Sequence, residues 1–140
     1  MPYKIAWKNR GVIWKFYGTL TEKDAIQANL DIYGDTRFDG LRYSIVDILS
    51  VDNFDITSED LDVASALDCA ATITNPRVFV AIVAAKDEAV RVAELYKLGM
   101  KSSKWKVQIF DSMDDAQRWL CFACEIVGDE MKDLEKLCHL

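Results

Sequence analysis

Two apolar runs in the second half of the chain each lead into an amphipathic stretch. Residues 78–85 are apolar at every position and give way to a helical pattern starting near Asp87. Residues 105–110, Trp-Lys-Val-Gln-Ile-Phe, run into a second helical pattern that opens Asp111-Ser112 and carries Trp119-Leu120. Strand-then-helix units in series predict a parallel sheet with right-handed crossovers. Upstream, residues 3–8 and 12–17 are rich in aromatic and β-branched side chains and predict two strands. Asn9-Arg10-Gly11 between them suits a three-residue hairpin loop with Gly11 in the left-handed region. Tyr3 and Trp7 are assigned to one face of this hairpin, Trp14 and Phe16 to the other, so the ribbon is expected to be covered on both sides.

Thr21-Glu22-Lys23-Asp24 has the form of a capping box with Asp in place of Glu. Ala25, Ile26, Asn29, Leu30 and Tyr33 follow at helical spacing, and Gly34 is expected to end that helix as a left-handed cap. Residues 41–49 predict a strand containing Ile45-Val46-Asp47-Ile48-Leu49. Residues 50–57 read as an acidic loop, and Thr57-Ser58-Glu59-Asp60 as the next helix start. Leu61, Ala64, Leu67, Cys69, Ala71 and Ile73 are expected on the buried side of that helix, which Asn75-Pro76 stops. Gly128 interrupts the last helix, and residues 129–140 read as a short amphipathic extension to a single domain spanning 1–128. The predicted order is β-β-α-β-α-β-α-β-α. It implies an α/β fold with a mostly parallel five-stranded sheet and an antiparallel N-terminal edge strand.

Composition adds mostly exclusions. The 140 residues suit one domain with an adequate core. A net charge of −6 with scattered basic residues argues against nucleic acid, whose phosphates need Lys and Arg. No stretch is long and apolar enough to span a bilayer, and the N-terminus lacks the apolar core of a signal peptide. A cytoplasmic location is expected, with Cys69, Cys121, Cys124 and Cys138 as thiols.

The stretches Val80-Ala81-Ile82-Val83, Val107-Gln108-Ile109-Phe110-Asp111 and Ala116-Gln117-Arg118-Trp119-Leu120 resemble the SpoIIAA-like proteins. These are small bacterial single-domain proteins grouped with the STAS and CRAL-TRIO folds. Ile45-Val46-Asp47-Ile48-Leu49-Ser50-Val51 is also similar to the central strand and following loop of STAS domains. The likeness covers most of residues 3–122 and leaves 123–140 outside. It implies a βα superhelix on an open mixed sheet. It also implies one of two activities: protein binding switched by phosphorylation of a Ser or Thr at a helix N-terminus, as in STAS domains, or lipid binding in an apolar pocket, as in CRAL-TRIO domains.

The switch would fall on Thr57 or Ser58, with Asp47, Ser50, Asp52 and Asp55 around the partner site. A phosphate there would meet free N–H groups and the positive end of the helix dipole. The STAS pattern places a Gly after the phosphorylated residue, whereas Ser58 is followed by Glu59-Asp60, whose charges repel phosphate. Helix capping by Thr57 or Ser58 is the favoured reading. Asp47, within an apolar strand, reads best as an acceptor for backbone N–H groups of the following loop. Cys121-Phe122-Ala123-Cys124 with Cys138-His139 offers three thiols and an imidazole, the makings of a zinc site. The two mid-helix cysteines share a face with apolar neighbours, so core packing is favoured and no metal or cofactor is assigned.

Catalysis finds no support. The one histidine, His139, is penultimate, and the six glycines are isolated rather than gathered into a phosphate loop. The leading expectation is a non-enzymatic regulatory or adaptor module that binds a protein partner or a second copy of itself as a homodimer. The alternative is a carrier of a lipid or other apolar small molecule, suggested by Trp7, Trp14, Phe16, Tyr17, Phe54 and Trp105.

Overall fold

A computed structural model describes residues 3–123. Five strands form one sheet in sequential order: β1 (Tyr3–Trp7), β2 (Gly11–Thr21), β3 (Tyr43–Asp55), β4 (Phe79–Val83) and β5 (Lys106–Phe110). β1 pairs antiparallel with β2 and every other pair is parallel, as the sequence predicts. The helices are α1 (Glu22–Tyr33), α2 (Ser58–Thr74), α3 (Asp87–Gly99) and α4 (Met113–Ala123), with a 3-10 turn at Thr36–Gly40.

Strand order dictates where the helices lie. α1, α2 and α3 each connect one parallel strand to the next neighbour in the same direction. Crossovers of one hand then place all three on the same face. The main core lies beneath them and joins Trp14, Ile48, Val80 and Ile82 to Ala28, Ile32 and Ala93. No described strand follows α4, so it is released from that rule. It covers the opposite face, where Ala116 and Leu120 meet Ile13, Tyr43, Ile45 and Ala81.

Several local expectations are corrected. The connection between the paired residues Trp7 and Val12 is Lys8-Asn9-Arg10-Gly11, and its even length pairs odd-numbered residues with even-numbered ones. Tyr3 faces Phe16, Ile5 faces Trp14 and Trp7 faces Val12, so the aromatic groups share one face. The other face carries Lys4 and Lys15, whose ammonium groups lie 5.7 and 5.8 Å from the Tyr17 ring centroid. Gly11 is not left-handed, since Gly18 is the glycine with positive φ among the described residues. Gly11 is instead required by close approach: a Cβ there would lie 2.0 Å from Cζ of the fully buried Tyr43 ring. Gly34 is right-handed at φ −81°, and the chain turns onward because Asp35 caps the 3-10 turn by accepting from Arg37 N–H at 2.9 Å.

The predicted acidic loop is also strand. β3 runs on to Asp55, and its segment from Ser50 pairs with Tyr17, Gly18, Thr19, Leu20 and Thr21 of β2. β4 ends opposite Asp47, so more than half of β3 runs on with β2 as a two-stranded parallel ribbon beyond the main sheet. Gly18 at φ +60° lies between two register shifts in this ribbon, a backbone geometry that favours glycine.

The end of α2 is tied to its surroundings by Asn75. Its amide donates to the carbonyls of Phe38 at 2.9 Å and Leu41 at 2.8 Å, its Oδ1 accepts from Arg77 N–H, and its own carbonyl receives the Trp105 indole at 2.6 Å. Asn75 is 1% exposed, so no solvent replaces these bonds. Asn75→Ala is expected to destabilise the fold by roughly 2 kcal/mol, read as a lower urea midpoint at unchanged denaturant slope.

Candidate functional site

α2 begins at a reciprocal capping box. Thr57 Oγ1 accepts from Asp60 N–H at 3.1 Å, and the Asp60 carboxylate accepts from Thr57 N–H at 2.8 Å. From there the buried residues are Leu61, Ala64, Ser65, Asp68 and Thr72, a stripe at helical spacing whose second half is polar. Ile73, expected inside, is 85% exposed.

Ser65 and Thr72 satisfy themselves within the helix. Ser65 Oγ donates to Leu61 O at 2.9 Å, and Thr72 Oγ1 donates to Cys69 O at 2.7 Å. Asp68 has only acceptor oxygens when ionised and cannot do this. Its carboxylate, 4% exposed, instead accepts from the Tyr33 hydroxyl of α1 and the Tyr96 hydroxyl of α3. One carboxyl thus links the three helices on this face.

The link needs α3 to come close to α2. A Cβ at Gly99 would lie 2.2 Å from Ser65 Oγ, so the small residue permits the contact. The Cys69 thiol lies 3.7 Å from Gly99 O at the same place. Tyr96, about one turn earlier on α3, is thereby held against Asp68.

Beside this carboxyl lies a cavity of about 110 Å³. Its floor is the sheet face of Val46, Ile48, Val80 and Ile82. The three helices close it with one alanine each, Ala25, Ala64 and Ala93, set among the larger Tyr33, Leu61, Val92 and Tyr96. Larger side chains at these positions would fill the space. Ala25, Asn29 and Ile56 are half-exposed and mark its open side. Among the described residues that line it, Asp68 is the one carboxyl.

Burial pushes the Asp68 carboxyl up from 3.8 to about 7, against the Tyr96 hydrogen bond, which pulls it down. Burial and the facing carboxylate raise the Tyr96 phenol well above its usual value. Where α1 and α2 begin, a hydrogen bond to Asp60 raises Glu22, while the backbone of Thr57 lowers Asp60. The first turns of α1 and α2 thus meet through a pair of carboxyls.

The predicted site residues do not converge here. Asp47 accepts from Leu49 N–H at 3.0 Å, in line with the structural role favoured for it. Strand alternation turns it to the α4 side, away from Val46 and Ile48. Ser50, Asp52 and Asp55 are exposed on the projecting ribbon, where Lys86 donates to Val51 O at 3.2 Å and lies 4.0 Å from Asp52. Thr57 caps α2, and Ser58 is the exposed first residue of that helix. Cys121 is half-buried against the core under α4, while Cys124, Cys138 and His139 lie outside the described residues. Among the described residues no cluster of three His, Cys, Asp or Glu could hold a metal ion, and no helix is long and apolar enough to cross a membrane.

Of the aromatic set, Trp14, Phe16 and Trp105 line the cavity. Trp7 instead lies under the Arg37 guanidinium, 4.2 Å from its ring centroid. The sequence reading missed Asp68, Tyr33 and Tyr96. The available signal was Ser65, Asp68 and Thr72 falling in phase with Leu61 and Ala64.

The buried carboxyl has a consequence for stability. With a folded pKa raised from 3.8 to about 7, Asp68 holds a proton in the folded state that the unfolded chain releases. Its contribution is therefore fully present below 3.8 and is lost as pH rises through about 7. The loss at full ionisation is on the order of 4 kcal/mol. Chemical denaturation across this window should show stability falling with pH in the wild type and a flatter profile in Asp68→Asn. Equal slopes would show that Asp68 titrates normally.

A solved structure of an uncharacterised protein from Shewanella loihica PV-4, described as a DUF3478-family member with a SpoIIAA-like fold, is similar to this chain with a TM-score of 0.52 at 18% sequence identity. The match covers 85% of this chain and 92% of that one. No protein-family model and no curated protein matches the chain. At this identity the likeness shows the fold alone: the sheet with its sequential strands and four helices is SpoIIAA-like.

Proposed function

We propose that the protein is a non-enzymatic binding module that takes a small, mostly apolar molecule into the cavity between the sheet and α1–α3. The observation that carries this reading is the cavity that three alanines help to close over an aliphatic floor. Tight cores fill such spaces, because each lost methyl contact weakens the fold. A space of about 110 Å³ suits a ligand near the size of an aromatic ring, since apolar cavities of about 150 Å³ hold benzene. A long acyl chain would not fit.

The same lining argues against catalysis. Asp68 and the two phenols offer no paired nucleophile and base of the usual kind. Ile56 and Leu61 lie on the lining at the start of α2, so a bound molecule would touch the element that presents Thr57 to solvent. A ligand sensor needs such a connection between an interior site and a surface.

The protein-binding reading with a phosphate switch at Thr57 or Ser58 has less behind it. The Thr57 hydroxyl is committed to the capping box, and Glu22, Glu59 and Asp60 surround it. A phosphate would add two negative charges to an existing carboxyl pair.

Toluene tests the proposal directly. Titration into the protein labelled with nitrogen-15 is expected to shift amide signals around Val46, Ala64 and Ala93 and to raise the melting temperature. Ala93→Phe should abolish the shifts by filling the space, and Ala64→Leu should weaken them with less risk to folding. An absence of localised shifts and of thermal stabilisation in the wild type would overturn the proposal.

A further inference from the structure

We infer that the molecule bound in the cavity is a small amine, its ammonium seated against the Asp68 carboxylate between Tyr33 and Tyr96. This rests on the cavity being a ligand site and adds the chemical class of the ligand.

Charge selection follows from the lining. Asp68 is the one carboxyl around the cavity, and no Lys, Arg or His stands among the residues that line it. A ligand with a carboxylate or phosphate head would meet a buried group of its own sign with no cation to offset it. An ammonium meets a partner. A carboxylate offers about four lone-pair sites, and the hydroxyls of Tyr33 and Tyr96 occupy one on each oxygen. The remaining sites can accept from an ammonium.

The usual objection to a buried ion pair is the cost of removing both charges from water. Here the carboxyl is already desolvated in the empty protein, held by two phenols from neighbouring helices. Where the carboxyl is ionised, above a pH of about 7, its burial cost belongs to folding rather than to binding, so only the ammonium is dehydrated when the ligand enters. Trp14, Phe16 and Trp105 add aromatic surface around the same space, which favours cations over anions.

The test is a set of probes of one shape and different charge, titrated into the full chain by calorimetry and nuclear magnetic resonance: toluene, benzyl alcohol, benzylamine and benzoate. Benzylamine is expected to bind about tenfold tighter than benzyl alcohol, and benzoate weakest of all. Asp68→Asn, which keeps the size of the side chain but turns one acceptor oxygen into a donor, should lose the preference for benzylamine over benzyl alcohol. Equal affinity for benzylamine and benzyl alcohol, or tight binding of benzoate, would overturn the inference and leave the apolar site standing. Failure of toluene together with the amine would remove both.

Discussion

Three helices must share one face of a sheet five strands wide, and this crowding governs the rest of the molecule. Strands about 4.8 Å apart give a sheet about 19 Å across, whereas three packed helices 8–10 Å apart need about the same width. Little slack remains, so α2 and α3 meet where a glycine, Gly99, faces a serine, Ser65. The same crowding brings Tyr33 and Tyr96 within reach of one carboxyl on the central helix. It also explains why small residues face the sheet. Alanine at 25, 64 and 93 lets the helices lie close to the strands, and the space left between the three methyl groups is the cavity.

Strand order and helix order were legible in the sequence because their signals are periodic and local. A short apolar run such as Phe79–Val83, set between Asn75-Pro76 and the helical pattern from Asp87, reads as a buried strand. The losses came where pairing overrode composition. Residues 50–55 read as loop, yet β2 offers a partner as far as Thr21 across two register shifts, and backbone bonding outweighs the poor strand propensity of Asp and Asn. The hairpin was misassigned for a comparable reason. A shift of one residue in loop length exchanges the faces of the partner strand, and no side chain in Asn9-Arg10-Gly11 announces where the loop starts.

The candidate site was nearly illegible, and the cause is geometric. Its roof comes from three helices far apart in the chain, each contributing an alanine that reads as ordinary helix former. Its polar corner was hidden by the rule that apolar residues face inward. On α2 that rule favoured Ile73 over Asp68, whereas the helix turns Asp68 inward and leaves Ile73 in water. The stripe of Leu61, Ala64, Ser65, Asp68 and Thr72 is regular in phase and irregular only in polarity. Phase was the better guide.

Polarity on a buried stripe still requires a reason. Ser65 and Thr72 are mild cases, since each closes its hydrogen bond on its own helix and adds little burden. Asp68 is different in kind. It depends on side chains from two other helices, and its burial lowers stability wherever the carboxyl is ionised. An apolar side chain of similar volume would pack there with less penalty, as replacements of buried polar groups elsewhere show. The fold does not need a carboxyl to position α2, because the capping box sets one end and Asn75 the other. Asp68 therefore stands at the wall of the cavity already stripped of water, tied to α1 and α3, and it is the group that the proposed ligand would meet.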